Sequence, residues 1–176
     1  WLMWRGGRQS QMGIRGRCGG GAMGKFPAHP DEVSAAWLGA QLNARVDTVC
    51  WEPIGTGQVG DSVRFFLTGE DVPPTLAGKF PAEDASSRGT AALFGLYRME
   101  VEFYRHAAPL LDVRVPKVYF TDVDETGSAF ILLCEDMGPA RQGDQIAGCG
   151  IEDARAALRQ AAAVHAPSWG RRELLV

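Results

Sequence analysis

The chain has 176 residues, 18 basic against 21 acidic, for a formal charge of -3 and a pI near 5.6. That length suits one domain with a true core, or one small lobe plus part of a second, and is too short for two full domains. The mixed charges supply no basic field for nucleic acid and no apolar stretch approaches the roughly 18 residues needed to span a bilayer, so neither nucleic acid nor a membrane is an expected partner.

Residues 1–22, WLMWRGGRQSQMGIRGRCGGGA, are rich in Gly and Arg and lack the continuous apolar run of a signal peptide; a disordered leader is predicted. Met23 stands just before the first folded-looking segment and is the expected natural start, with the leader an artefact of gene calling. Over 31–46, Val33, Trp37, Leu38 and Leu42 recur at helical spacing behind Pro30-Asp31, which predicts one amphipathic helix. Strands are predicted over 47–54, 62–68 and 75–80, separated by a glycine-rich turn and the loop GEDVPP. A helix over 87–108 ends at Pro109, and strands over 115–122 and 128–135 flank the turn Asp124-Glu125-Thr126-Gly127. The polar stretch 138–150 reads as a linker. An Ala-rich helix is predicted over 151–166, with Glu152 and Asp153 suiting its N-terminal dipole. The expected class is α+β, a five-stranded antiparallel sheet in the order βββαββ, with boundaries at 1–22, 23–137 and 138–176.

Cys18, Cys50, Cys134 and Cys149 show neither CxxC spacing nor His partners at zinc-site intervals, so no metal site is predicted and the thiols are read as reduced. Cys134 lies in an apolar run where a thiol packs as a small hydrophobe. A reducing, cytoplasmic setting is the expectation.

Gly55-Thr56-Gly57-Gln58-Val59-Gly60 is a GxGxxG sequence directly after a predicted strand. A dinucleotide-binding turn must open a helix that receives a pyrophosphate, whereas Ser62-Val63-Arg64-Phe65-Phe66-Leu67-Thr68 is β-branched and aromatic and favours a strand. Strand, glycine turn, strand is the geometry of a kinase phosphate flap; a hairpin that uses glycine only to turn is the alternative.

Lysine occurs only at Lys25, Lys79 and Lys117, so Lys79 inside an apolar segment stands out. Leu76-Ala77-Gly78-Lys79 has the shape of the kinase V-A-I-K strand. Period-two alternation points Thr75, Ala77 and Lys79 to one face, where a flat base could lie on Ala77 and the ammonium could reach phosphate oxygens. The alternative is a lysine at a strand end, snorkelling to water. At about 100° per residue, Glu100 falls in the middle of the stripe Leu93, Leu96, Tyr97, Phe103, Tyr104 and Ala107, while Glu102 points the other way, near Arg98 and Arg105. A carboxylate facing a core costs several kcal/mol unless paired, and Lys79 is the candidate cation. Otherwise the stripe is partly exposed and Glu100 is solvated.

Flap, strand Lys and inward helix Glu stand in the order of a kinase N-lobe. Through EPIGTGQVGDSVRFFLT, LAGKFPAED, YRMEVEFYRHAAPLL, VRVPKVYFTDVD, FILLCEDM and ALRQAAAVHAPSWG, residues 23–169 resemble the aminoglycoside phosphotransferase superfamily, most closely its ecdysteroid-kinase-like and related bacterial branches. The resemblance implies a protein-kinase-like N-lobe with the first helix of a truncated C-lobe, and ATP with Mg²⁺ as cofactors. It further implies that Lys79 orients the α- and β-phosphates, Glu100 holds Lys79, and the loop Gly55, Thr56, Gly57, Gln58 and Gly60 covers the phosphates. Ala77 would lie on the base, and main-chain groups around Glu135, Asp136 and Met137 would meet the adenine. His165 matches a family helix ending and is expected to be structural.

Two departures qualify this. Val63 falls one place later than in the protein-kinase flap. The family's catalytic-loop Asp, metal-binding Asn and second metal-binding Asp come from the larger lobe, and no such segment is found in these 176 residues; His29-Pro30-Asp31 only mimics H-x-D, with Ala36 where Asn should follow. No catalytic residue and no metal ligand is therefore assigned within the chain. The expected activity of a complete relative is transfer of the ATP γ-phosphate to a hydroxyl of a small molecule, with this polypeptide itself inactive. The alternatives are a non-catalytic kinase-like nucleotide-binding or interaction module and a Rossmann-type oxidoreductase, the latter requiring a helix over 62–68.

Overall fold

The computed structural model describes residues 25–55, 59–140, 143–144 and 146–171. The leader predicted over 1–22, Met23, and the flap residues Thr56, Gly57 and Gln58 lie outside the described residues. The chain forms two compact units: among the described residues the larger comprises 25–101 and 116–136, the smaller 102–115 and 137–171.

The larger unit is α+β. Its strands β1 (Arg45–Pro53), β2 (Gly60–Glu70), β3 (Thr75–Pro81), β4 (Val118–Val123) and β5 (Phe130–Glu135) form one sheet of order β1-β2-β3-β5-β4, with every neighbouring pair antiparallel. Alternation decides which face is which. Val63, Phe65 and Leu67 on β2, Leu76 and Phe80 on β3, and Ile131 and Leu133 on β5 all turn to one side. There they form a core with Leu38 of helix α1 (Ala35–Leu42), Val33 and Phe26. Gly78 lies beneath this core because nothing larger fits: an added Cβ would sit 2.6 Å from the Phe65 ring and 3.0 Å from that of Phe80.

The predicted first helix is shortened at both ends. Pro30–Glu32 is a single 3₁₀ turn, Val33 is extended, and α1 begins only after Ser34, its cap, whose hydroxyl accepts from the Trp37 amide at 3.1 Å. Asn43, in the left-handed region at φ 51°, ends the helix, and the chain enters β1 at Arg45 rather than residue 47.

The helix predicted over 87–108 is broken. Asp84 caps α2 (Ala85–Leu93) by accepting from the Ser87 amide at 2.7 Å, Gly95 at φ 64° interrupts the helix, and α3 (Leu96–Glu102) follows. A π-helical turn, Phe103–Ala107, and a 3₁₀ turn, Ala108–Leu110, follow. Leu93, counted in the apolar stripe, is 80% exposed as a result, whereas Tyr97, Val101, Tyr104 and Ala107 are buried.

In the smaller unit, α4 (Ile151–Ser168) runs two residues beyond its predicted end and includes His165, and Glu152 in its first turn pairs with Arg155. Among the described residues no helix is long and apolar enough to cross a membrane.

Candidate functional site

On β3 the side chains opposite the core belong to Thr75, Ala77 and Lys79. The register sets Lys79 between Ser62 of β2 and Leu132 of β5, and Ala77 between Arg64 and Cys134. Helix α3 packs on this same face, where the Tyr97 ring stacks on Phe130 with centroids 4.2 Å apart. The stack turns the helix so that Glu100, three residues on, looks toward the sheet.

Lys79 Nζ donates to both Glu100 carboxylate oxygens, at 2.9 and 2.7 Å. The Glu100 side chain is 13% exposed and that of Lys79 29%. A carboxylate so shielded pays a desolvation penalty of several kcal/mol, which pairing and two charge-assisted hydrogen bonds offset. The pair ties α3 to β3 and holds the ammonium over the sheet, beside Ala77.

The glycine loop leaves β1 and returns into β2, with the Ile54 amide donating to the Ser62 carbonyl at 2.8 Å. A strand therefore follows the loop at Gly60–Glu70, where the Rossmann alternative requires a helix, and that alternative is rejected. Gly55 has φ 75°. At Gly60 the constraint is space: an added Cβ would lie 3.0 Å from the Phe80 carbonyl oxygen, 3.5 Å from Lys79 Cε and 3.8 Å from Tyr97 Cε1. The last glycine of the loop thus rests on the lysine stem. Val63, off-register against the protein-kinase flap, faces the core at 2% exposure, and Ser62 occupies the Lys79 face instead.

At the other end of this face, Arg64 donates to Asp136 at 2.6 and 3.2 Å. Sequence reading singled out Asp136 for its main chain and passed over Arg64. The one available signal was a cation two residues from Ser62 in an apolar strand, at the parity of Lys79. The hydrogen bond it donates to Asp136 raises the Arg64 pKa against the opposing pull of burial. Cys134, between the two ion pairs in register, has its thiol pushed up to about 12 by burial, with the Glu100 and Asp136 charges adding to it. It is a packed thiol rather than a nucleophile.

Glu135 closes β5: its amide donates to the Lys117 carbonyl at 2.8 Å, and its carboxylate accepts from the Lys117 amide at 3.2 Å. Met137 is the first residue of the smaller unit's C-terminal segment, and its carbonyl accepts from the Ala140 amide. The structure therefore brings together Gly60, Ala77, Lys79 and Glu100, with Asp136 farther along the same face through Arg64. Glu102 is engaged elsewhere, by Arg105 at 3.8 Å and His106 at 3.1 Å, while Arg98 donates to the carbonyls of Asp124 and Glu125. His29 caps the 3₁₀ turn, its Nδ1 accepting from the Asp31 amide at 3.2 Å, so the H-x-D spacing is a local turn.

Among the described residues no group of three or more His, Cys, Asp or Glu side chains is placed to hold a metal ion. No family model, no curated protein and no solved structure matches this chain.

Proposed function

We propose that this chain is the nucleotide-binding lobe, protein-kinase-like in architecture, of a phosphotransferase that moves the γ-phosphoryl group of ATP to a hydroxyl of a small molecule. The Lys79–Glu100 pair carries this reading: a shielded carboxylate fixes an ammonium on the sheet face opposite the core, beneath the end of a glycine loop. A fixed cation beside backbone that carries no side chain suits phosphate oxygens, because positioned charge supplies most of what phosphoryl transfer asks of a protein. Lys79 and the loop beginning at Gly55 would hold the phosphates. Ala77, small and flanked by Cys134, would lie against the base, with the main chain of Glu135 and Asp136 at its edge.

No Mg²⁺ ligand is assigned among the described residues, where no group of three or more His, Cys, Asp or Glu side chains gathers. The pocket for the acceptor and the base that takes its hydroxyl proton belong, by the resemblance, to a larger lobe. The 176-residue polypeptide is expected to bind nucleotide without transferring phosphate.

Calorimetry with ATP and Mg²⁺ tests this. Wild-type protein is expected to bind, and Lys79→Ala to lose about tenfold or more in affinity, the weight of a charge-assisted contact. Equal affinity in the two proteins, or no binding by wild type, overturns the nucleotide role. A non-catalytic interaction module is the second reading, favoured by the exposure of Leu93, Phe94 and Met99 around the helix break, at 80, 64 and 54%.

A further inference from the structure

We infer that Tyr97 is a positioning residue, one that fastens the C-terminal end of the glycine loop to the helix carrying Glu100, so that loop placement and Lys79 alignment depend on one element; this rests on the nucleotide-binding reading above. Tyr97 is 1% exposed. Its ring stacks on Phe130, a task that phenylalanine would do equally well. The hydroxyl therefore needs its own account, since burying it without partners is costly.

It has two partners, and both are main chain. The Tyr97 hydroxyl donates to the carbonyl of Val59 and accepts from the amide of Ala82 at 3.2 Å. Val59 is the residue before Gly60, and Ala82 is the first residue after β3. One phenol thus joins the returning arm of the loop to the end of the strand that carries Lys79. Burial pushes the phenol pKa up, so the hydroxyl stays a donor at neutral pH.

Packing reinforces the link. Gly60 lies against both the Tyr97 ring edge and the Lys79 stem, and Glu100 follows Tyr97 by three residues on the same helix face. A shift of α3 that breaks the Lys79–Glu100 bond must also pull on Val59. Val59 and Gly60, held by this anchor, would present their end of the loop to phosphates in one position, whereas without it that end pays an ordering cost each time a triphosphate binds.

Tyr97→Phe removes the hydroxyl and keeps the ring. The expected result by calorimetry is ATP affinity weakened about three- to tenfold, with adenosine affinity changed less than about twofold, because the loop acts on phosphates and not on the base. Equal weakening of both ligands, or unchanged ATP binding, overturns the inference. Should Tyr97→Phe fail to fold, amide hydrogen exchange on wild-type protein decides: ATP must slow exchange in peptides covering 59–62 and 96–101 together, and protection of the loop segment alone overturns the inference. Lys79→Ala, run in parallel, separates the two levels. Loss of ATP binding in Lys79→Ala without the Tyr97→Phe effect removes only the anchor, whereas unchanged binding in Lys79→Ala, or none by wild type, removes the nucleotide reading and the anchor with it.

Discussion

Arg64 grips Asp136 across an intervening strand. Arg64 belongs to β2 and Asp136 follows β5, with β3 between them, and the guanidinium meets both carboxylate oxygens, at 2.6 and 3.2 Å. The side chains are 17 and 11% exposed. Ala77, next to Arg64 in one register and to Cys134 in the other, is the small residue over which this clasp passes. The geometry is a two-point fork, which a lysine at position 64 could not reproduce.

Asp136→Ala removes both of these contacts from a guanidinium that is 17% exposed, with Glu52 at 3.5 Å as a remaining carboxylate. Loss of one partner of a largely buried pair is expected to cost about 2–4 kcal/mol in urea unfolding. The double variant Arg64→Met/Asp136→Ala should be more stable than the sum of the single changes by about 1 kcal/mol or more. Additive single effects would show that the pair is decorative.

The same logic applied to Lys79 and Glu100 gives an asymmetric expectation. Lys79→Met leaves a carboxylate that is 13% exposed without its lysine, whereas Glu100→Gln takes a charge from beside a cation that is 29% exposed and on a flexible stem. Lys79→Met is therefore expected to be the more destabilising of the two at neutral pH, by about 1 kcal/mol, in paired denaturant curves. The reverse order would mean that Glu100 reaches water more easily than its burial indicates.

How much of this was readable in the residues differs from feature to feature, for physical reasons. Lys79 and Glu100 each break a short-range pattern, period two in a strand and 100° per residue in a helix, so each charge declares its direction locally. Arg64 and Asp136 stand 72 residues apart, and their meeting depends on strand order and register, which no local period encodes. The apolar stripe ran unbroken through residues 93–107 although Gly95 interrupts the helix, because a single glycine is compatible with a helical pattern until its φ is known. At the first helix the apolar spacing of Val33 was genuine in burial, at 5% exposure, but its backbone is extended. Ser34 and Asn43, which cap the shorter helix, did not enter the sequence reading.

Gly95 offers a clean backbone test. At φ 64° it occupies the left-handed region, and an added Cβ would meet nothing within 4 Å. Gly95→Ala therefore isolates conformational cost from packing, and about 1 kcal/mol of destabilisation is expected by thermal or urea unfolding. Gly95→Asn should recover part of the loss, since asparagine tolerates this region. A stabilised Gly95→Ala protein would instead imply that α2 and α3 join into one helix.

Asp124 sets an acid limit on the turn between β4 and β5. Burial works against its charged form, but hydrogen bonds from Thr126, Ala129 and Ser128 outweigh it and hold the carboxyl below its ordinary 3.8. The amides of Ser128 and Ala129 reach one oxygen at 2.8 and 3.0 Å. The turn is also a brace for α3, because Arg98 donates to the carbonyls of Asp124 and Glu125 at 3.0 and 2.9 Å. With the folded pKa depressed, the unfolded chain binds the proton more readily. The stabilisation from Asp124 is thus fully present above the unfolded value and is lost as pH falls through the folded one. Wild type and Asp124→Asn should differ in stability by a constant amount between about pH 5 and 8, and the gap should close as pH drops below about 4. Urea titrations of both proteins at a series of pH values measure it. A gap that stays constant down to pH of about 2.5 would mean that the turn does not depend on the Asp124 charge.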